Sequence, residues 1–252
     1  MIKPARVLVL GFVIVSYPVL GQNVPKWVYI PPKSNSSYFG VGIGPRYADN
    51  ANSIKHAYTN AVANVTREVK IGIRSKFADV GRGGSMESKD FMATIIDSTI
   101  FHSVFDSAKI ITQVFTHNDV FVLIAITKDM KTVKQKVRPG PAGYNIKRQP
   151  RWIIQPPIRR GYKYGVGISN ARRYLRDAWD QSADEARLEI AKQLNMTHSS
   201  LFGDALSDNN TATQYWLEET IDLTLTGSRI VERYFDAEQR HYYTLIEYKI
   251  SE

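Results

Sequence analysis

No cysteine occurs in the 252 residues. Its absence excludes disulfides, thiolate nucleophiles, cysteine-bound metals and cysteine lipidation together. Long apolar runs are almost as scarce. The longest, from Val7 to Val15, holds nine residues, well short of the roughly 20 that a spanning helix needs. Histidine is limited to His56, His102, His117, His198 and His241, and no pair has the His-Glu-x-x-His spacing of a metal site. These read as helix, loop or strand residues rather than ligands. No Gly-x-Ser-x-Gly elbow or phosphate loop is present, so no catalytic residue, cofactor site or metal site is assigned. Acids are in the minority, 24 against 33 lysines and arginines, for a net charge of +9.

What stands at the start of the chain reads as an export signal. Lys3 and Arg6 precede the apolar run, and Val19-Leu20-Gly21 places modest residues before Gln22. The expectation is a signal peptide over 1–21, cut after Gly21, and an exported chain with no transmembrane helix once mature. Four Asn-x-Ser/Thr sequons begin at Asn35, Asn64, Asn195 and Asn209. Asn64 and Asn195 fall within expected helices, and a secreted eukaryotic chain of this size without cysteine would be unusual, so a bacterial envelope is the expected setting.

The strongest internal signal is a repeat. Pro25-Lys-Trp27 and Pro31-Pro32, then Gly40-Val-Gly42-Ile43, recur as Pro150-Arg-Trp152, Pro156-Pro157 and Gly165-Val-Gly167-Ile168 at a constant offset of 125. Trp27 and Trp152 read as core cover. Gly40, Gly42, Gly165 and Gly167 read as points where a helix approaches a strand with no Cβ between them. From Ser53 to about Lys76, Ile54, Ala57, Tyr58, Ala61, Val65 and Val69 predict a helix capped by Ser53. Leu175, Ala178, Trp179, Ala183, Ala186, Ile190 and Leu194 predict another, matched by aligning Ala57-Tyr58 with Ala178-Trp179 at an offset of 121.

Hairpins are expected over 110–127 and 230–250, and a strand over Ile221–Thr226 with a weaker counterpart around 95–104. The fold class is therefore α+β: two tandem repeats, each a long helix packed on a small, mainly antiparallel sheet in β-α-β-β order. Repeat boundaries fall at 22–129 and 150–252, with a basic Pro/Gly linker at 130–149.

The Pro-x-Trp start, Gly-x-Gly strand and Ala-rich helix before a hairpin resemble the LPP-twenty lipoprotein family of bacterial envelope proteins. Here the pattern is present twice, through Ala57–Val65 and Ala178–Ala191. The resemblance implies a non-enzymatic envelope protein, of a family in which some members are associated with the outer membrane or with flagellar assemblies. The lipid-acceptor cysteine of the type is missing here, so a periplasmic or outer-membrane-associated form that is not lipidated is expected.

Charge is the feature the fold leaves unexplained. Between Lys128 and Lys163 stand 11 basic residues and one acid, Asp129. Lys131, Lys134, Lys136, Arg138, Lys147, Arg148, Arg151, Arg159 and Arg160 are the candidate partner-binding residues within it. Pro139-Gly-Pro141-Ala-Gly143 marks an exposed segment. One reading is a solvated linker; the other is docking to an anionic envelope surface or an acidic envelope protein. Nucleic acid is not expected as a partner of an exported chain. Gly40-Val-Gly42-Ile-Gly44 lacks dinucleotide-loop spacing and runs into Pro45. Glu68 with Glu189, and Asp97 with Asp222, match between repeats, but a lone acid on a helix face is ordinarily solvated or ion-paired. The expected function is a non-catalytic assembly or surface-interaction module. The alternative is an envelope hydrolase with carboxylates between the repeats.

Overall fold

The computed structural model describes residues 24–82, 85–133, 148–194 and 215–250, with side chains outside 77–91 and 215–220. The expected signal segment 1–21, most of the expected linker with Lys134, Lys136, Arg138 and Lys147, and also His198, Asn195 and Asn209, lie outside the described residues.

The chain is mixed α+β. Its first half runs α1 (Lys26–Tyr29), β1 (Ser37–Pro45), α2 (Asn50–Val69), β2 (Lys70–Arg82), β3 (Ser85–Ile96), α3 (Ser98–Ser107), β4 (Lys109–Phe115) and β5 (Asp119–Thr127). After a 3-10 turn at Arg151–Ile153, the second half runs β6 (Tyr162–Asn170), α4 (Leu175–Leu194), β7 (Tyr215–Thr226), β8 (Arg229–Asp236) and β9 (His241–Lys249). Among the described residues three antiparallel three-stranded sheets form, ordered β1-β5-β4, β6-β9-β8 and β3-β2-β7. The first two have the same strand order and each carries one register irregularity, between Ile110 and Thr112 and between Ile230 and Glu232. The third joins the halves, because β7 pairs with β2 along its length.

Each long helix lies on the glycine strand of its own half. A Cβ on Gly42 would stand 1.8 Å from the Ala57 carbonyl oxygen, and one on Gly167 would stand 2.0 Å from that of Ser182. Gly40 meets Ala61 O in the same way, and Gly165 meets Ala186 O. These partners put Ala57 against Ser182 and Ala61 against Ala186, so the helices correspond at an offset of 125, and both are 20 residues long. The 121 alignment is one helical turn out of register. Residues four apart share a helix face, so an apolar stripe matches itself nearly as well after a slip of one turn.

Other boundaries shift too. The first helix ends at Val69 rather than near Lys76, and its cap is Asp49, whose carboxylate accepts from Ala51 N. Ser53 is instead buried, accepting from Tyr47 N and donating to Asp49 O. The expected strand around 95–104 is the end of β3 followed by α3, capped by Asp97. The second half has no helix there and turns directly through Gly227 and Ser228.

Ala57, Ala61, Val65, Val122 and Ile124 fill the layer between α2 and its sheet. On that sheet's other face, Val41, Ile43, Phe121 and Leu123 pack with Trp27, Val28 and Tyr29, and this cluster continues into Ala178, Trp179 and Tyr242 of the second half. Trp152 covers the corresponding outer face of the second sheet, on Tyr243 and Leu245. The first sheet is thus buried on both faces, and β5 is buried along nearly its whole length.

Because β2 pairs with β7 and the central cluster draws on both halves, unfolding should be one cooperative transition. Gly167→Ala forces a methyl against the α4 backbone and should cost about 1–3 kcal/mol. Hydrogen exchange should show that loss equally in β5 of the first half and β9 of the second. Protection lost in β9 alone would show that the halves fold independently.

Candidate functional site

Two charged layers form where the halves meet. The first is a buried seam between α2 and α4. Asp180 accepts from Asn60 Nδ2 at 2.8 Å and lies 3.9 Å from Arg67. Asp184 lies 3.7 Å from Arg67 Nε and 3.2 Å from Arg187, and accepts from Thr94 of β3. Arg187 has no exposed surface; its Nε donates to Ser228 Oγ, and its Nη2 has no partner among the described residues. Burial lowers the Arg187 pKa and pushes Arg233 down to about 10, against the pull of nearby carboxylates. Burial also raises Asp180, opposed by Arg67. Asn60 and Asn64 serve the seam and the sheet at once: Asn60 Oδ1 accepts from Ile43 N and Asn64 Nδ2 donates to Val41 O, closing the free edge of β1. A groove of about 550 Å³ opens beside the seam, with Lys55, His56, Arg176 and Asp177 at its rim.

The second layer is a polar cleft of about 510 Å³ at the end of α2. Its origin is a capping arrangement. A helix ends in carbonyls without intrahelical partners, and here Gly227 N donates to Glu68 O at 2.8 Å while Ser228 Oγ donates to Arg67 O. Gly227 adopts φ +80°, a left-handed conformation that suits glycine. The turn so placed starts β8 beside the cleft. Lys33, Lys128, Arg159, Arg229 and Lys249 line it, with two carboxylates, Glu68 and Glu247. Glu247 is engaged: Arg229 Nη2 lies 2.7 Å from one oxygen and Tyr164 Oη donates to the other at 2.8 Å. Arg159 sits 4.1 Å over the Tyr162 ring, and Lys128 lies 5.8 Å from that of Tyr38.

Glu68 differs. Among the described residues no group donates a hydrogen bond to its carboxyl, and burial pushes its pKa up to about 7 although Arg229, Arg187 and Lys128 pull it down. Desolvation therefore outweighs three cations. At offset 125 its position corresponds to Gln193, not Glu189. Glu189 is exposed on α4 and, among the described residues, accepts from Gln193. Asp97 and Asp222 are likewise in unlike settings: Asp97 caps α3 and pairs with Lys70, whereas Asp222 is exposed on β7 with Arg74.

Of the sequence-derived basic residues, Arg159 enters the cleft. Arg148, Arg151 and Arg160 are exposed, and Lys131 pairs with Asp129 at 2.9 Å. Lys33, Arg229, Lys249 and Glu247 escaped the sequence reading. His56, His102 and His117 are exposed, and His241 is half-buried on β9. Among the described residues no cluster of three histidines or acids is placed to hold a metal, and no helix is long and apolar enough to cross a membrane. Comparison with family models, curated proteins and solved structures finds no match.

A carboxyl with a folded pKa near 7 and an unfolded value of 4.5 keeps its proton in the folded chain after the unfolded chain has lost it. Between those values stability falls as pH rises. Glu68→Gln should match the parent below about pH 4 and exceed its stability above about pH 8, by roughly 2–3 kcal/mol. Urea midpoints measured across that range check it; parallel curves would mean that Glu68 ionises as freely folded as unfolded.

Proposed function

We propose that this chain is a non-catalytic, exported bacterial envelope module that binds anionic groups of the envelope through the cleft between its halves. One observation carries the reading: five cations drawn from both halves face one cleft, with one carboxylate already neutralised by Arg229 and the other held near pKa 7. A phosphate or carboxylate entering there replaces water around lysines and arginines that the fold leaves short of counter-charge. The export signal at 1–21 and the resemblance to LPP-twenty proteins support the envelope setting, and the missing cysteine supports a form without a lipid anchor.

A second reading, an envelope hydrolase, draws on the same Glu68, since a carboxyl near pKa 7 suits general acid–base chemistry. Turnover of an envelope polymer that disappears in Glu68→Gln would establish it. The surplus of cations and the engagement of Glu247 by Arg229 and Tyr164 favour binding.

Calorimetry with inorganic pyrophosphate tests the binding reading. Affinity should weaken steeply with salt, and Lys128→Gln with Lys249→Gln should reduce it by roughly tenfold per lysine. Equal affinity in parent and variant would remove the cleft as the binding site.

A further inference from the structure

Beside the cleft, the segment leading into β6 exposes two aliphatic side chains more fully than any other large hydrophobic among the described residues. Ile154 is 82% exposed and Ile158 is 96%, whereas the next most exposed, Ile95, is 47%. Single exposed apolar residues are unremarkable. These two differ in being neighbours on one short loop, with Pro156-Pro157 between them, and in the charge around them. From Arg148 to Lys163 there are five basic residues and no acid. Arg148, Arg151 and Arg160 are exposed, and none is paired with a carboxylate among the described residues.

The loop is also held in place. Trp152 is buried on Tyr243 and Leu245, Gln155 N donates to Arg151 O, Tyr162 N donates to Arg159 O, and Arg159 stacks on Tyr162 at the mouth of the cleft. The two prolines fix their own φ angles, so the segment loses little freedom on docking. Exposed aliphatics surrounded by unpaired cations match one surface in particular. In a bilayer interface, apolar side chains enter the acyl boundary while lysines and arginines meet anionic headgroups. A nucleic acid would call for aromatic stacking surfaces instead, and isoleucine supplies none.

We infer that the loop from Arg148 to Arg160 is a membrane-docking element, which inserts Ile154 and Ile158 into the interface of an anionic leaflet while its arginines hold the headgroups. It rests on the reading that the chain binds envelope anions, and it names the lipid leaflet as the source of that charge.

Flotation of the chain lacking residues 1–21 with vesicles of equal parts phosphatidylglycerol and phosphatidylcholine, against phosphatidylcholine alone, tests it. Binding is expected to the anionic vesicles only. Ile154→Ser and Ile158→Ser, both at exposed positions, should each reduce partitioning by roughly tenfold, with unchanged melting and unchanged pyrophosphate affinity. The absence of native cysteine permits a site-specific probe. An environment-sensitive fluorophore on Ile158→Cys should shift to the blue with anionic vesicles, whereas one on Glu238→Cys, exposed in the β8–β9 turn, should not. Vesicle binding that survives both serine substitutions, or an equal response from both labels, would overturn insertion while leaving anion binding intact. Pyrophosphate binding without any vesicle binding would overturn it in the same way. Loss of both would overturn the anion-binding reading itself.

Discussion

Arg187 and Arg233 lie almost wholly inside the protein, and the joining of the halves is arranged around such buried charge. A charge removed from water survives only with close partners and hydrogen bonds. Arg187 has Asp184 and Ser228; Arg233 has the Val28 carbonyl at 3.3 Å and the Trp179 ring at 5.4 Å. Those partners come from α1, α4 and the turn before β8, the strand that carries Arg233. Arg67 supplies the reach from α2 to both acids of α4. Isolated pairs of this kind add little net stability, but removal of one partner leaves an unmatched buried charge that costs about 3–5 kcal/mol. The seam therefore acts mainly on specificity, by penalising any other placement of α2 against α4.

The cleft follows from that placement. Once α2 and α4 are locked, β2 lies beside β7, and the turn at Gly227 and Ser228 satisfies the last carbonyls of α2. Arg229 then falls next to Glu68, and the carboxyl is left partly desolvated among cations. A perturbed acid and a surplus of positive charge are thus products of the same joint that holds the fold together.

Much of the layer architecture was legible in the sequence. Alanine and valine at steps of three and four mark α2 and α4, alternating β-branched residues mark the hairpins, and Gly-x-Gly sets the strands on which the helices rest. Helix register was harder, because a stripe with a four-residue step matches itself after a slip of one turn; only the contacts of Gly42 and Gly167 fix it. Ile71 and Ile73 extend the apolar pattern of α2, which hides the start of β2, and Ile100, Phe101 and Val104 belong to α3 rather than to a strand. The pairing of β2 with β7 spans more than a hundred residues and leaves no local trace. For the same reason Lys128 and Arg159 stand out within a basic stretch, whereas Lys33, Arg229, Glu247 and Lys249 converge only in three dimensions.

The claim that the α2–α4 seam couples the halves is tested most directly by a double-mutant cycle on Arg67 and Asp184, each changed to alanine alone and together, with stability read from urea unfolding. A coupling energy of about 1–3 kcal/mol is expected for two charges 3.7 Å apart across a buried interface. Additivity within about 0.5 kcal/mol would contradict the account.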